Sequence, residues 1–228
     1  MKTLISDFDG TLFINDEEIN KNAKMIKIFR DKGNIFIIST ARNYQAIKEA
    51  CIKYDIQVDY FFCDIGSVIL DNEGNVLYKQ YINKEDRKNI EIILLDYEEQ
   101  VTIKRYGTKG KQGKEVQNIV EYKIEGDYEI LEKIKKKVDE VIKNTETQIT
   151  EDNKFIIHTG KKEDIINIFV DKKKIDINSI ITIGDEIDDL EMLKRYNGYR
   201  MKKCNQVLID NNIRSVDSVG ELINLMCD

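Results

Sequence analysis

The first thirteen residues, MKTLISDFDGTLF, constrain the fold of this chain more than any other segment. An apolar run leads directly into two carboxylates, Asp7 and Asp9, which are followed by Gly10 and Thr11. Residues i and i+2 of a strand share a face, so a strand that ends near Asp7 brings both acids to one point. Open α/β sheets bind their ligands at that carboxyl end. Because two such close carboxylates repel each other unless a cation separates them, the segment predicts a metal-assisted acid site.

The sequence DFDGT also resembles the first motif of the haloacid dehalogenase (HAD) superfamily, most of whose members are phosphatases. Gly10 and Thr11 match that motif together with the two acids, and the resemblance makes them supporting residues of the site. A solvated turn after an N-terminal strand is the alternative interpretation of Asp7 and Asp9. Three later segments of the chain bear on this choice.

Residues 34–42, NIFIISTAR, predict a buried parallel strand that runs into Ser39 and Thr40, with a helix starting just after them. A hydroxyl at that place can donate to a phosphoryl oxygen while helix N–H groups add a positive field. The second HAD motif is such a strand, and its Cof-type subgroup carries Thr-Gly-Arg. The resemblance therefore implies that Thr40 binds phosphate and that Arg42 supports it. Both hydroxyls would equally serve as the N-cap of the helix.

Residues 179–185, SIITIGD, predict another buried strand that ends in an acid, and EIDDLEML follows it. GDEIDDLEML resembles the GDxxND signature of the superfamily, which implies that Asp185 is a metal ligand and Asp189 a supporting acid. Asp188 stands where the Cof-type subgroup usually has Asn. It adds a negative charge that a divalent cation could tolerate, and it alters the local hydrogen bonding. An acidic helix N-terminus, favoured by the helix dipole, is the alternative.

The third HAD motif is a lysine, and Lys161 and Lys162 are adjacent candidates. The subgroup usually places two apolar residues three and four positions after this lysine, on the buried face of a helix. Counting from Lys162 reaches Ile165 and Ile166, whereas counting from Lys161 reaches an aspartate first. Helical phase therefore favours Lys162, with Lys161 as the alternative.

The composition excludes several other classes of protein. Hydrophobic residues make up 41% and charged residues 34% of the 228 residues, which is typical of a globular protein. The net charge of −6 argues against general affinity for nucleic acid. No apolar run approaches the roughly 20 residues of a membrane span, and the N-terminal segment lacks the apolar core of a signal peptide. Four cysteines without metal-like spacing predict free thiols. We therefore expect a cytoplasmic protein that binds neither nucleic acid nor membrane.

The alternation of strands and helices is interrupted in the middle of the chain. Residues 1–79 and 159–228 follow a βα rhythm, with a hairpin over 66–78, whereas residues 80–158 predict an antiparallel sheet backed by helices. We predict the α/β fold class, with a discontinuous Rossmann-like parallel-sheet core and an inserted α+β domain. The predicted helices are 17–31, 43–54, 84–95, 128–143, 162–174, 188–196 and 218–226, and the predicted strands outside the hairpin are 2–7, 34–39, 58–62, 100–106, 117–124, 146–151, 154–158 and 179–184.

In the HAD superfamily an insertion at this place is the cap that closes over the active site, so the resemblance implies that residues 80–158 set substrate specificity. The loop over 107–114 contains three glycines and three lysines, Lys109, Lys111 and Lys114. It could form an anion-binding nest, but its spacing does not match a P-loop, and a solvated hairpin is favoured. His158, the one histidine, ends a predicted strand near the domain junction, and we assign it no catalytic role.

The resemblance implies a mechanism. Asp7 attacks phosphorus and forms an aspartyl-phosphate, while Asp9 acts as general acid and then general base. Mg²⁺ binds to Asp7, to the backbone carbonyl of Asp9 and to Asp185, while Thr40 and Lys162 stabilise the transferring group. The acid at position 9 favours a phosphatase or phosphomutase over a dehalogenase.

The implied function is a Mg²⁺-dependent phosphatase for a small phosphorylated metabolite. A cap of about 80 residues is similar to that of the smaller sugar-phosphate and phosphoglycolate phosphatases. The alternatives are a phosphomutase of the same fold and a non-catalytic binding protein with a vestigial site. Two segments depart from the subgroup near its pocket: Ile65-Gly66-Ser67 replaces Asn-Gly-Ala, and residues 201–204, MKKC, replace Met-Gly-Asn-Ala.

Overall fold

The computed structural model of the protein describes residues 1–110, 112–113, 115–150 and 152–227. These residues form two compact units, which are described separately. Unit 1 comprises Met1–Leu77 and the chain from Lys161 onward, and unit 2 comprises Tyr78–Gly160. Lys111 and Lys114 of the predicted anion-binding loop, and Glu151 of a predicted strand, lie outside the described residues. Among the described residues, no helix is long and apolar enough to span a membrane.

Twelve strands and eight α-helices occur in the described part of the chain. The strands are β1 (Thr3–Ser6), β2 (Ile35–Ser39), β3 (Tyr60–Cys63), β4 (Val68–Asp71), β5 (Val76–Lys79), β6 (Thr102–Tyr106), β7 (Glu121–Glu125), β8 (Glu146–Ile149), β9 (Lys154–His158), β10 (Ile180–Gly184), β11 (Gly198–Met201) and β12 (Arg214–Val216). The helices are α1 (Asp16–Asp31), α2 (Tyr44–Lys53), α3 (Lys84–Leu95), α4 (Tyr128–Asp139), α5 (Lys162–Lys173), α6 (Leu190–Arg195), α7 (Gln206–Asp210) and α8 (Val219–Cys227).

An eight-stranded sheet in the order β12-β11-β10-β1-β2-β3-β4-β5 organises unit 1. The strands from β12 to β3 are parallel, and β4 is antiparallel to β3. β1 lies inside the sheet, where Leu4 is opposite both Ile181 and Phe36. Its residues are buried on both faces, as expected for a parallel strand. This sheet confirms the predicted α/β fold class and brings the carboxyl ends of β10, β1 and β2 side by side.

The N-cap residue of α2 is neither Ser39 nor Thr40, the two residues that the sequence offered for this role. The side chain of Asn43 is the N-cap, and it accepts a hydrogen bond from the Ala46 N–H at 3.1 Å. Because Asn is a favoured N-cap residue, the helix begins one turn later than a cap at Ser39 or Thr40 would allow. The capping role considered for those two hydroxyls is therefore wrong.

Aromatic packing fixes α5 against the sheet. The Phe169 ring lies edge-on to Tyr60 and Phe62 of β3, with centroid separations of 4.8 and 5.2 Å. Ile165 and Ile166 are buried on the same helix, as the phase argument from Lys162 required. The first residue of α5 is thereby held in a defined place relative to β1 and β10.

Unit 2 has a four-stranded antiparallel sheet in the order β6-β7-β9-β8, with α3 and α4 against one face. Its hydrophobic core combines residues of both layers, including Tyr122, Ile124, Phe155, Ile90 and Ile134. An antiparallel sheet backed by helices agrees with the predicted α+β insertion.

Two elements of unit 2, β7 and α4, differ from the prediction by four residues at one end, for different reasons. β7 begins at Glu121 instead of residue 117, because Ile119 and Val120 are buried within a loop whose backbone bonds to residues 82 and 106. α4 ends at Asp139 instead of residue 143. Beyond it, the buried Asp86 carboxylate accepts hydrogen bonds from the N–H groups of Lys143 and Asn144, both at 3.1 Å, and these hold the chain out of the helix.

We expect Asp86→Ala to destabilise unit 2 by about 1–3 kcal/mol, because it leaves buried donors without an acceptor. Asn83 and Thr145 also donate to this carboxylate, each at 2.7 Å. Urea unfolding measures the loss, and hydrogen exchange of the α3 amides locates it. Glu85→Ala is the matched control, because Glu85 is exposed and its pair with Lys143 is a surface one. Equal effects of the two variants would contradict the assignment.

Candidate active site

Three buried carboxylates meet at the carboxyl edge of the large sheet. Asp7 follows β1, Asp185 follows the neighbouring β10, and Asp189 lies one short turn further along the chain. One carboxylate oxygen from each lies within 4.8 Å of the others. The parallel pairing of β1 with β10 therefore brings Asp7 and Asp185 together at one edge of the sheet.

Lys162, the first residue of α5, neutralises part of this cluster. Its ammonium lies 2.7 Å from Asp7 Oδ1, 2.6 Å from Asp189 Oδ1 and 3.0 Å from Asp188 Oδ2, and its side chain is 2% exposed. Lys161 occupies the N-cap position of α5 and is exposed. The structure thus brings Lys162 to the two acids of the GDEIDD segment and to the first acid of DFDGT.

Asp185 is oriented by the DFDGT loop. The Thr11 hydroxyl donates to Asp185 Oδ1. Gly10 has a φ of +86°, and a Cβ at that position would collide with Asp185 Oδ2. Gly10 therefore provides both a left-handed turn and the space for the carboxylate, which accounts physically for the glycine of the motif.

Asp189 is fixed by its own backbone surroundings. Its Oδ2 accepts hydrogen bonds from the N–H groups of Asp185 and Glu186, both at 3.0 Å, and Lys162 binds its other oxygen. A Cβ on Gly184 would collide with the Asp189 side chain, so the end of β10 can approach it only as glycine. With both of its oxygens engaged by donors, Asp189 positions Lys162 and the Asp185 backbone.

The predicted convergence of the Asp7 and Asp9 carboxylates is wrong, because Asp9 lies outside the buried cluster and pairs with Arg42. Arg42 donates from Nε and Nη2 to the two Asp9 oxygens, at 2.8 and 2.6 Å, and about half of the Asp9 side chain is exposed. The guanidinium also lies 4.7 Å from the Phe8 ring centroid, a cation–π geometry. Sequence reasoning missed Phe8; its place inside the first motif, next to two acids, was the available signal.

Thr40 is buried at the end of β2, and its hydroxyl oxygen accepts a hydrogen bond from the Arg42 N–H at 3.1 Å. The turn formed by Asp64, Ile65 and Gly66 supports this loop, since the Ile65 N–H donates to the Thr40 carbonyl at 3.2 Å. All three turn residues have positive φ, and 51° is an unusual value for a β-branched residue such as Ile65. Asn, which the Cof-type subgroup that this sequence resembles often has at this position, tolerates that conformation better.

The cluster contains more negative than positive charge. Burial, aided by the nearby Asp189 and Glu186 charges, raises the pKa of Asp185 to about 7 against the opposing Thr11 hydrogen bond. Burial also raises the pKa of Asp189 to about 6, although Lys162 opposes the shift. Burial raises the pKa of Asp7 for the same reason, and Lys162 again opposes it. Burial alone would lower the pKa of Lys162, but its carboxylate partners outweigh that effect and raise it.

These residues fit a divalent cation. Carboxylate oxygens are the ligands that hard cations such as Mg²⁺ prefer, and a cation would relieve the repulsion that raises the acid pKa values. Asp7 and Asp185 are the carboxylates available to hold it, because Asp189 is committed to Lys162 and to backbone N–H groups.

Unit 2 contains two further polar residues of note. His158 ends β9, and its Nδ1 lies 2.9 Å from the Gly160 carbonyl. Directly opposite it on β7, Glu121 is fully buried, and Lys123 lies 3.2 Å from Glu121 Oε1. Burial raises the pKa of Glu121 to about 7, with Lys123 opposing the shift. Sequence reasoning missed Glu121, because an acid that alternates along a strand with the core residues Tyr122 and Ile124 is expected on the exposed face, whereas Glu121 is buried.

The fold and the site define an α/β protein with an acidic, lysine-bridged centre at the carboxyl edge of its sheet and an inserted α+β unit. A family model for haloacid dehalogenase-like hydrolases matches residues 4–110. An uncharacterized protein of Mycoplasma capricolum is 28% identical over 97% of this chain and 98% of its own length. The DFDGT and STAR segments both lie within the matched residues, so residues 4–110 are similar to haloacid dehalogenase-like hydrolases in the segments that supply Asp7, Asp9, Thr40 and Arg42.

Solved structures show the same fold at low sequence identity. A haloacid dehalogenase-like hydrolase from Bacteroides thetaiotaomicron superposes with a TM-score of 0.83 at 14% identity, with 99% of each chain covered. A sugar phosphatase of HAD subclass IIB superposes with a TM-score of 0.74 at 16% identity, covering 97% of this chain and 95% of its own. The fold of the whole chain is therefore that of HAD-like hydrolases.

We expect the metal-free protein to lose stability as the pH rises from about 4 to about 7. Asp185 and Asp189 have folded-state pKa values of about 7 and 6, above their ordinary value of 3.8, so the unfolded chain releases these protons first. Above pH 7 both acids are ionised in the folded protein, so the loss of folding stability is complete. A bound cation should offset this loss. Free Mg²⁺ at 100 times its Kd should then stabilise the protein by about 2.7 kcal/mol, or roughly 5–10 °C in Tm.

Differential scanning calorimetry at pH 5 and pH 7.5, with and without Mg²⁺, measures both effects. The Mg²⁺ shift should be larger at pH 7.5 and should be lost in Asp185→Asn. A shift of equal size in that variant would show that the cation binds elsewhere.

Proposed function

We propose that this protein is a Mg²⁺-dependent phosphatase that hydrolyses a small phosphorylated metabolite through an aspartyl-phosphate intermediate. The observation that carries the proposal is the position of Asp7. Its buried carboxylate lies at the carboxyl edge of β1, 2.7 Å from the Lys162 ammonium and within 4.8 Å of an Asp185 oxygen. The match of residues 4–110 to a family model for haloacid dehalogenase-like hydrolases and the fold shared with a sugar phosphatase support the same function.

Asp7 acts as the nucleophile in this proposal. One carboxylate oxygen attacks phosphorus, the alcohol leaves, and water then hydrolyses the acyl phosphate to regenerate the carboxylate. Lys162 donates to Asp7 Oδ1 in the structure, and this hydrogen bond fixes the orientation of the carboxylate. Because Oδ1 is held in this way, Oδ2 can attack phosphorus from a fixed direction. This lowers the entropic cost of orienting the nucleophile.

Lys162 and Thr40 stabilise the transferring phosphoryl group. Both are buried, and both lie at the carboxyl edge of the sheet. Positive charge and hydroxyl donors act more strongly in a buried site than in water, which favours the charge that spreads over the equatorial oxygens. Mg²⁺ held by Asp7, the Asp9 carbonyl and Asp185 would neutralise phosphoryl oxygens when bound.

Asp9 is the proposed general acid and base. Its carboxylate is half exposed, unlike that of Asp7, so it can exchange protons with a leaving group and with water. Arg42 occupies one lone pair on each Asp9 oxygen, which leaves further acceptor positions for the proton in transit. Arg42 therefore positions the acid without blocking it.

Unit 2 is proposed to select the substrate. It is an inserted α+β unit with its own hydrophobic core, as expected of a HAD cap. A sugar phosphate or a phosphoglycolate-type ester is the proposed substrate class, supported by the sugar phosphatase of the same fold.

We expect Asp7→Asn to fold normally and to lose hydrolysis by on the order of a thousandfold or more, since the amide is a poor nucleophile. The measurement is Mg²⁺-dependent phosphate release from a panel of phosphorylated metabolites, with Asp7→Asn as the blank. Hydrolysis that persists in Asp7→Asn would overturn the nucleophile assignment. A protein inactive on every ester, p-nitrophenyl phosphate included, would overturn the phosphatase proposal.

Asp9→Asn should reduce kcat/KM far more for an alkyl phosphate than for p-nitrophenyl phosphate. An alkoxide needs a proton as it leaves, whereas p-nitrophenolate departs without one. The comparison of kcat/KM for the two esters isolates the protonation step, because it reports on the first half of the reaction. Equal losses on both esters would assign Asp9 to a role other than general acid.

A further inference from the structure

The ammonium of Lys162 faces three carboxylates. It donates hydrogen bonds to Asp7 Oδ1 at 2.7 Å and to Asp189 Oδ1 at 2.6 Å. Asp188 Oδ2 lies 3.0 Å from the same nitrogen as an ion pair. Because an ammonium group has three donors, a phosphoryl oxygen that binds the remaining N–H must compete with the Asp188 carboxylate for the positive charge.

The three partners differ in how firmly they are held. Asp189 is fully buried, and its second oxygen accepts from two backbone N–H groups. Asp7 follows a central strand of the sheet, and its side chain is 9% exposed. The Asp188 side chain is 24% exposed, lies in a short 3₁₀ turn and makes the longest of the three contacts. Asp188 is therefore the partner that can leave at the smallest cost.

We propose that Asp188 is a positioning residue that pairs with the Lys162 ammonium until a phosphate group displaces it. This inference rests on the proposed function and deepens it, because it assigns a regulatory device to the same site. Asp188 holds the buried ammonium in place while no anion is bound. It also weakens phosphate binding, since a dianion must displace a carboxylate and then lie close to it.

Asp188→Asn tests this device. The Asn side chain keeps the shape and one acceptor oxygen, but it removes the charge that competes with phosphate. A unit charge a few ångströms from a dianion changes binding by roughly tenfold or more at the effective dielectric near a protein surface. We therefore expect the Kd of inorganic phosphate, measured by calorimetric titration of the full chain, to fall by roughly tenfold. KM for a substrate ester should fall with it, while kcat changes less.

Glu186→Gln is the matched control. It removes one carboxylate from the same loop, two residues away, and leaves the three partners of Lys162 in place. A tighter phosphate complex in Asp188→Asn alone supports the proposal. An equal decrease in the phosphate Kd in both variants would show a general effect of net charge and would contradict the proposal. An unchanged Kd in Asp188→Asn would also overturn it.

Two further measurements separate this proposal from others. Asp188→Glu retains a carboxylate and should retain weak phosphate binding, which guards against an effect of misfolding in Asp188→Asn. Because inorganic phosphate binding needs no turnover, the result stands even if the protein hydrolyses no ester. In that case the anion site would be confirmed while the phosphatase proposal failed.

Discussion

The structure of unit 1 depends on the pairing of one buried ammonium with carboxylates from two other segments of the chain. Lys162 begins α5, Asp7 follows β1, and Asp188 and Asp189 follow β10. A buried ammonium left without any carboxylate typically costs about 3–5 kcal/mol, because its charge then has no compensation. The start of α5 and the ends of two strands are thus coupled electrostatically, and each defines the position of the others.

This coupling accounts for the small residues around the site. Gly10 and Gly184 lie where backbone approaches the carboxyl groups of Asp185 and Asp189, and a side chain at either position would collide with them. Thr11 adds a hydroxyl donor to Asp185. The motifs therefore contain residues that do not react. Their glycines leave space for the buried acids, and their hydroxyl groups donate hydrogen bonds to them.

Sequence reasoning was most successful where an apolar run ended in a polar residue. β1, β2 and β10 were predicted within two residues at each end, whereas the strand order that places their carboxyl ends side by side is known only from the structure. Helical phase placed Ile165 and Ile166 in the core and so identified the lysine that faces the acids. In each case a short stretch of sequence was sufficient. A buried apolar run identifies the element, and the polar residue at its end identifies the position at which the site residue lies.

The remaining differences come from contacts between residues far apart in the chain. α4 ends early because Asp86, more than fifty residues away, binds the backbone that follows it. The direction of the Asp9 side chain depends on Arg42, and Arg42 in turn lies over Phe8. Neither hydrophobic periodicity nor a motif records such pairings, because they depend on which loops the folded sheet brings together.

The position of β1 within the large sheet has a consequence for how the chain acquires its structure. β1 lies between β2 and β10, and Thr3 pairs with Ile180 on the β10 side. During synthesis from the N-terminus, the second edge of β1 stays open until almost four-fifths of the chain has been made. All four strands of the inserted unit emerge before that point, so its contiguous sheet can form first. The pairing beside the acid cluster can therefore form only late in synthesis, so the candidate active site is completed after most of the chain has been made.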